Sequence, residues 1–375
     1  MTAIYLDHQA TTPLDLRVLE AMMPWLSRPS NPHATHAIGR AAAEAVETAR
    51  GQVAALVGAQ AHELFFTAGA TEAANIAIRA LPSGSRVLVS PIEHACVVET
   101  LVARATELDV TTARIGPDGV LDVDDFAEDL EGRDVAIVMA VNNEIGTVQP
   151  LPEIAAACRL ADVALFTDVS QAAGRVRVDL EAWDARAAWL SSHKVYGPQG
   201  MGALIWRGLL QPRPVVTGGG QERGVRAGTV ATALAVGFGA ACHIAMQEME
   251  RDAHHAAALS AQFLSALRQV HPWLVVNGST DRRVPHNLSV AFPGLDADVL
   301  VASVPQLAIS TGSACSAGAI GVSHVLSAIA DPEIAEGTIR VGFGRHTTPE
   351  EVATAASVVC QAVTTLRSVS SRKVG

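Results

Sequence analysis

Short apolar runs alternate with Ala-rich stretches through the first half of the chain. Six runs read as strands: Arg86–Ser90, Val110–Ile115, Asp134–Ala140, Val163–Asp168, Ala187–Ser191 and Ala203–Trp206. Between and before them, apolar positions recur at helical spacing over Pro32–Leu56, Thr71–Ala80, Ala95–Glu107 and Pro152–Ala161. Strands that are apolar throughout, rather than alternating, are buried on both faces. Their alternation with helices predicts an α/β fold with a mostly parallel sheet covered on both sides. Loops at the carboxyl ends of such strands are where ligands bind.

The pattern changes after residue 228. Thr229–Leu267 reads as one long Ala-rich helix, with a break expected near Asp252–His255. Short strands are predicted at Trp273–Asn277, Asn287–Phe292, Leu307–Ser310 and Ile339–Val341. Helices are predicted at Ala297–Val304, from Ser316, and at Pro349–Leu366, with a frayed tail over Ser368–Gly375. This predicts a large domain over residues 15–254. Residues 1–14 and 255–375 would form a smaller α+β domain.

Length and composition agree with two domains. A chain of 375 residues is too long for one compact core, and 49% of it is hydrophobic. Only 17% is charged, below the roughly 25% usual for soluble domains. A chain so poor in charge hides surface, which points to a homo-oligomer. The net charge of −11 offers no footprint for direct nucleic-acid binding and argues against an anionic membrane surface. Five cysteines stand at 96, 158, 242, 315 and 360 with no CxxC, which suits reduced thiols and predicts no metal site. The opening MTAIYLDHQATTP has neither a basic segment nor an apolar core of the secretory type, so no signal peptide is expected. No 18-residue stretch lacks polar residues, so no membrane-spanning helix is expected. The expectation is a cytoplasmic protein.

Three stretches carry chemistry. In Ala187-Ala188-Trp189-Leu190-Ser191-Ser192-His193-Lys194-Val195-Tyr196-Gly197-Pro198, an apolar strand runs into hydroxyls, a His and a Lys before a Gly-Pro turn. A lysine at a strand mouth in this setting suits a Schiff base with pyridoxal 5'-phosphate. Val163–Asp168 ends in an acid, and that cofactor needs a carboxylate at its pyridine nitrogen to keep the ring an electron sink. The alternative for Asp168 is a helix N-cap. In Phe65-Phe66-Thr67-Ala68-Gly69-Ala70-Thr71, a strand passes through a small-residue turn into a helix, whose N–H groups and the Thr71 hydroxyl could hold a phosphate.

Further motifs extend the pattern nearly end to end: IYLDHQATTP, NPHATHAIGR, FTAGATEAANIAI, IEHACV, MAVNNEIGTVQPL, TDVSQAAG, SSHKVYGPQGMGAL, GGGQERGVRAGT, STGSACSAG and TIRVGFGRHTTPEEV. Together they resemble the cysteine desulfurases of the NifS/IscS type, within the class V aminotransferases. The resemblance implies a pyridoxal-phosphate-dependent transferase of fold type I, with a large domain on a mostly parallel seven-stranded sheet. It implies that Lys194 carries the cofactor and that His94 stacks on its ring and moves protons. Asp168 would pair with the ring nitrogen and Gln171 with the ring oxygen, while Ala70, Thr71, Ser191 and His193 would hold the phosphate. Thr229 would reach the phosphate of the opposite subunit, making a homodimer. Asn143 and Arg340, with Asn31 nearby, would hold the carboxylate of the L-cysteine substrate. Cys315 would be the nucleophile that passes sulfur to a protein acceptor, such as an iron–sulfur scaffold or a thiolation enzyme.

The residues suit these roles. An α-carboxylate wants a planar cationic fork, which Arg340 offers, and a His near neutral pH suits proton transfer. Cys315 lies among Gly, Ser and Ala, which predicts an exposed thiol on a flexible loop at a helix start. Cys158, Cys242 and Cys360 lie in helical Ala/Val-rich runs and read as core, whereas Cys96 stands two residues from His94. Three places depart from the family's commonest pattern: His33-Ala34-Thr35 after Asn-Pro, Ala227 before Gly228-Thr229, and Val341-Gly342-Phe343-Gly344. They bear on the substrate pocket and leave the cofactor set intact. The rival enzyme is a selenocysteine lyase or another carbon–sulfur lyase on the same scaffold. The rival of another class is a cofactor-binding scaffold with little catalysis.

Overall fold

The computed structural model describes residues 3–208, 212–312 and 323–373. The chain opens with Ile4–Tyr5 (β1), Leu16–Leu26 (α1) and Ala37–Leu56 (α2). The alternating half follows as Leu64–Thr67 (β2), Ala70–Arg79 (α3), Arg86–Val89 (β3), Ala95–Val102 (α4), Asp109–Thr112 (β4), Val123–Asp129 (α5), Val135–Ile137 (β5), Leu151–Leu160 (α6), Ala164–Asp168 (β6), Ala187–Ser191 (β7) and Gly202–Trp206 (β8). The remainder is Thr232–Val270 (α7), Val275–Val276 (β9), Asn287–Ala291 (β10), Ala297–Ala302 (α8), Leu307–Ala308 (β11), Ser310–Thr311 (β12), His324–Ile329 (α9), Pro332–Glu336 (α10), Thr338–Gly342 (β13) and Pro349–Lys373 (α11).

Strands β2 to β8 form a seven-stranded sheet in the order β2-β8-β7-β6-β5-β3-β4. Every pairing is parallel except the two made by β8. Apart from the mostly exposed edge strand β4, its strands are largely buried because both faces are covered. Leu88, Ala136, Leu165 and Ala188 pack with α1, α2, α6 and α7 on one face. Val87, Ile137, Phe166 and Trp189 pack with α3 and α4 on the other. The β6–β7 pairing sets Asp168 opposite Trp189. Because β8 runs backwards, Gly202 lies between Thr67 and Ser191. The ends of β2, β6 and β7 therefore open on one edge of the sheet.

A second core gathers Leu6, Leu259, Phe263, Leu288, Phe292, Ile339 and Val359. It lies on a four-stranded antiparallel sheet of order β12-β13-β10-β9, beside the parallel pair β1–β11.

Several elements differ from the sequence expectation. Helix α7 runs unbroken for 39 residues. The polar Asp252–His255 stretch stays helical because its side chains have partners: Asp252 accepts from Arg345 at 2.8 Å, and His255 Nε2 lies 2.8 Å from the Thr347 carbonyl. Helix α2 starts at Ala37, not Pro32, because the His36 ring caps it by accepting from Gly39 N–H at 3.1 Å. Helix α4 stops at Val102, and turns replace the expected helix to Glu107. Strand β5 ends at Ile137 rather than Ala140, and Leu307–Ser310 divides between β11 and β12. Helices α1, α5 and α10 lie outside the stretches expected to be helical. The expected frayed tail is helical as far as Lys373. The helix expected from Ser316 begins outside the described residues. Among the described residues one segment, Pro349–Val369 of α11, is apolar and long enough to cross a membrane, with mean hydropathy 1.3. Its Val352, Ala356, Val359 and Val363 are buried in the second core, which accounts for the apolar stripe.

Candidate active site

The edge where β2, β6 and β7 end holds a cavity of about 800 Å³, lined by Ala10, Thr11, Gly69, Ala70, Thr71, Ser191, His193 and Gly200, among others. Helix α3 points its N-terminus into it. Ala70 N–H donates to Ser191 Oγ at 2.8 Å, which ties the helix start to the end of β7. The turn is tight enough that a Cβ on Gly202 would fall 2.5 Å from Gly69 Cα, so glycine is required where β8 passes the turn. Backbone N–H groups, a helix dipole and hydroxyls make this wall fit a phosphate.

Lys194 follows β7 in a single 3-10 turn, Ser192–Lys194. Its ammonium donates to the Gln9 carbonyl and, at 2.9 Å, to the Ala10 carbonyl. His193 Nδ1 lies 3.1 Å from Thr11 Oγ1. Burial, then the Lys194 charge, lowers His193 to a pKa of about 4. It is neutral at physiological pH, so it offers a hydrogen bond rather than a charge. Asp168 ends β6 and is buried, accepting from Ser170 N–H at 2.8 Å. That is the N-cap-like contact raised as the alternative to a cofactor role, although no helix begins at Asp168. Gln171 donates to the Gln9 carbonyl at 3.0 Å, and its own carbonyl accepts from the buried Arg175. A buried carboxylate, a lysine and a phosphate-shaped wall at one sheet edge fit pyridoxal 5'-phosphate.

His94 caps α4, its Nδ1 accepting from Cys96 N–H at 3.1 Å. The neighbouring Glu93 is fully buried, and burial followed by the Asp168 charge raises its pKa well above the usual carboxylate value. Cys96 is also buried, with its thiol pushed up by burial.

A second corner lies on the antiparallel sheet. Arg340, in the middle of β13, is 1% exposed. Its Nη2 pairs with Asp7 at 2.9 Å, and its Nη1 donates to the Asn143 carbonyl at 3.3 Å. Asn143 is buried.

The structure thus gathers Ala70, Thr71, Ser191 and His193 around one cavity, joins Lys194 and Gln171 through the Gln9 carbonyl, and joins Asn143 to Arg340. Asn31 is exposed, its Oδ1 accepting from His33 N–H. Thr229 is exposed as well, and neither residue lines the cavity. Cys315 lies outside the described residues. The sequence reading gave no role to Asp7, to the Gln9 and Ala10 carbonyls, to Thr11 or to Arg175. For the first four the signal was the run of small and polar residues in IYLDHQATTP, which follows neither a helical nor a strand period; Arg175 had none.

Comparison with known proteins adds family evidence. The aminotransferase class-V family model matches residues 4–354. The chain is 40% identical to the cysteine desulfurase IscS of Rickettsia bellii over 98% of this chain and 92% of that protein. A solved NifS-like protein matches with a TM-score of 0.90 at 30% identity, covering 97% of this chain and all of that one. The solved structure of SspA in complex with cysteine matches with a TM-score of 0.80 at 32% identity, over 92% and 99% of the two chains.

Proposed function

The chain belongs to the class-V aminotransferase family, and from that premise we propose how its residues divide the work of a cysteine desulfurase. It is a pyridoxal-phosphate-dependent enzyme with cysteine desulfurase activity, converting L-cysteine to L-alanine. The observation that carries the assignment of roles is the meeting of Lys194, buried Asp168 and the α3 N-terminus at one sheet edge.

In this reading Lys194 carries the cofactor, Asp168 faces its ring nitrogen, Gln171 its ring oxygen, and His94 its face. Ala70, Thr71, Ser191 and His193 hold the phosphate. Bound there, the cofactor draws electrons out of the bonds at the substrate α-carbon. Arg340 takes the substrate carboxylate, with Asn143 and Asn31 beside it. The Lys194 amine removes the α-proton, and His94 shuttles protons near the substrate. The Cys315 thiolate attacks the substrate sulfur. The carbon–sulfur bond breaks with its electron pair left on carbon, which takes a proton and leaves as alanine. Sulfur stays on Cys315 as a persulfide, oxidised as the carbon is reduced.

Residues 15–254 and residues 1–14 with 255–375 are the two domains of this reading, and the second carries Cys315. The enzyme works as a cytoplasmic homodimer, Thr229 completing the phosphate site of the opposite subunit. A protein acceptor, an iron–sulfur scaffold or a thiolation enzyme, collects the persulfide sulfur. The test is product identity. Purified enzyme supplied with pyridoxal phosphate, cysteine and a reductant should form alanine and sulfide in equal amounts, and without the reductant a persulfide should appear on the Cys315 peptide by mass spectrometry. Pyruvate and ammonia in place of alanine would mean a β-eliminating lyase. Turnover of selenocysteine alone would mean a selenocysteine lyase.

A further inference from the structure

We propose that Asp7 is a positioning residue for amino-acid recognition. It fixes the orientation of the Arg340 guanidinium, which is to receive the carboxylate of an α-amino acid. The proposal deepens the reading above and rests on Arg340 as the carboxylate anchor.

Asp7 grips two strands of the antiparallel sheet. One carboxylate oxygen pairs with Arg340 Nη2 at 2.9 Å and the other accepts from Ser310 Oγ at 2.6 Å. Ser310 on β12 is the register partner of Arg340 on β13. The acid therefore bridges an arginine and the residue directly across from it. Fixing a buried guanidinium in one orientation prepares it to receive a second carboxylate without reorganisation.

The backbone fixes the acid in turn. Asp7 bridges Gly342 at the end of β13, and Gly342 N–H donates to the Leu6 carbonyl at 2.7 Å. The two segments touch so closely that a Cβ on Gly342 would lie 2.8 Å from His8 N. Two and three residues after Asp7, the Gln9 and Ala10 carbonyls hold the Lys194 ammonium. One short segment, folded into a turn by Ala10 N–H donating to the Asp7 carbonyl at 3.0 Å, thus contacts Lys194 through the Gln9 and Ala10 carbonyls and Arg340 through Asp7. The turn ties the two cationic side chains to one piece of backbone.

The experiment titrates the pyridoxal-phosphate-loaded enzyme, following the cofactor absorbance, with L-cysteine and with cysteamine, which keeps the amine and thiol but lacks the carboxylate. The expected result is that Asp7→Ala raises the cysteine concentration at half-saturation about tenfold or more, as loss of a charged hydrogen bond would, and leaves cysteamine unchanged. KM should rise more than kcat falls. Asp7→Asn, which keeps an acceptor for Arg340, should recover part of the loss. Ser310→Ala, which keeps Asp7 and only loosens it, should give a smaller shift of the same kind and guards against an Asp7→Ala protein that does not fold. Arg340→Ala in parallel must show the cysteine-selective loss. If it does while Asp7→Ala and Ser310→Ala bind cysteine normally, the positioning role is overturned and the anchor stands. If Arg340→Ala weakens both ligands equally or neither, the anchor itself is wrong and the proposal falls with it. Equal weakening of both ligands by Asp7→Ala alone would mean a merely structural acid and would also overturn it.

Discussion

The cofactor edge and the carboxylate corner differ in how the chain assembles them. Asp168, Ser191, His193 and Lys194 come from two consecutive parallel strands, and each sits where its strand ends. Asp7, Asn143, Ser310 and Arg340 come from four distant segments and meet through one ion pair, one hydroxyl and one carbonyl. Where a sheet edge collects residues, strand order alone brings the chemistry together. Where a buried arginine collects them, the contacts themselves do the gathering, and removing one leaves a charge buried without its partner. The first kind of site should tolerate mutation of its neighbours; the second should not.

The largest effect should come from the cofactor edge itself. Lys194→Ala should fold with wild-type far-UV circular dichroism yet have no detectable turnover. Borohydride should fix pyridoxal phosphate to the wild-type peptide containing Lys194 and to no peptide of the variant. Fixation at a different lysine would break the assignment of the edge.

A smaller effect sharpens the contrast in stability. A buried ion pair also ties β2 to a distant segment. Glu222 pairs with both terminal nitrogens of Arg50 at 2.8 Å and accepts from Phe66 N–H in β2. Both side chains are buried. Glu222→Ala should cost about 3–5 kcal/mol in urea unfolding, as loss of one partner of a buried pair does. Once folded and loaded, the variant should keep its KM for cysteine, because the pair lies away from Arg340. A raised KM would mean that the two regions are not independent.

The smallest effect is on pH. Burial lowers His8, in the Asp7–Ala10 turn, and His286, beside β10, to about 3, and lowers His193 to about 4. The unfolded chain takes up protons on these rings below about pH 6.5, while the folded chain refuses them until pH 3 to 4. The unfolded state then holds more protons, so stability is full above pH 6.5 and falls as pH drops toward 4. Urea midpoints at pH 7, 6 and 5 should decline in that order, and His193→Gln should remove part of the decline. A midpoint that rises with acid would contradict the buried neutral rings.

The same contrast explains what the sequence made legible. Ala187–Ser191 matches the predicted strand residue for residue, because an apolar run buried on both faces and closed by hydroxyls has a sharp local signature. The placement of Lys194 and Asp168 at strand ends was legible for the same reason. Asp7 was not, because nothing in Ile4-Tyr5-Leu6-Asp7 announces an arginine 333 positions away. The expected break in α7 failed likewise: Asp252 looks like a helix breaker until Arg345 is placed against it. Cys96, two residues from His94, is buried with its thiol pushed up by burial, which could be read only once α4 was packed on the sheet.

The central claim is that one thiol takes the sulfur while the sheet edge prepares the substrate, and a single assay tests it: alanine formed from L-cysteine by Cys315→Ser. A Ser hydroxyl is far less acidic and a poor nucleophile toward sulfur. The variant should therefore bind pyridoxal phosphate, change its absorbance on adding cysteine, and release neither alanine nor a protein persulfide. Alanine released at a rate near wild type would place the nucleophile elsewhere and contradict the account.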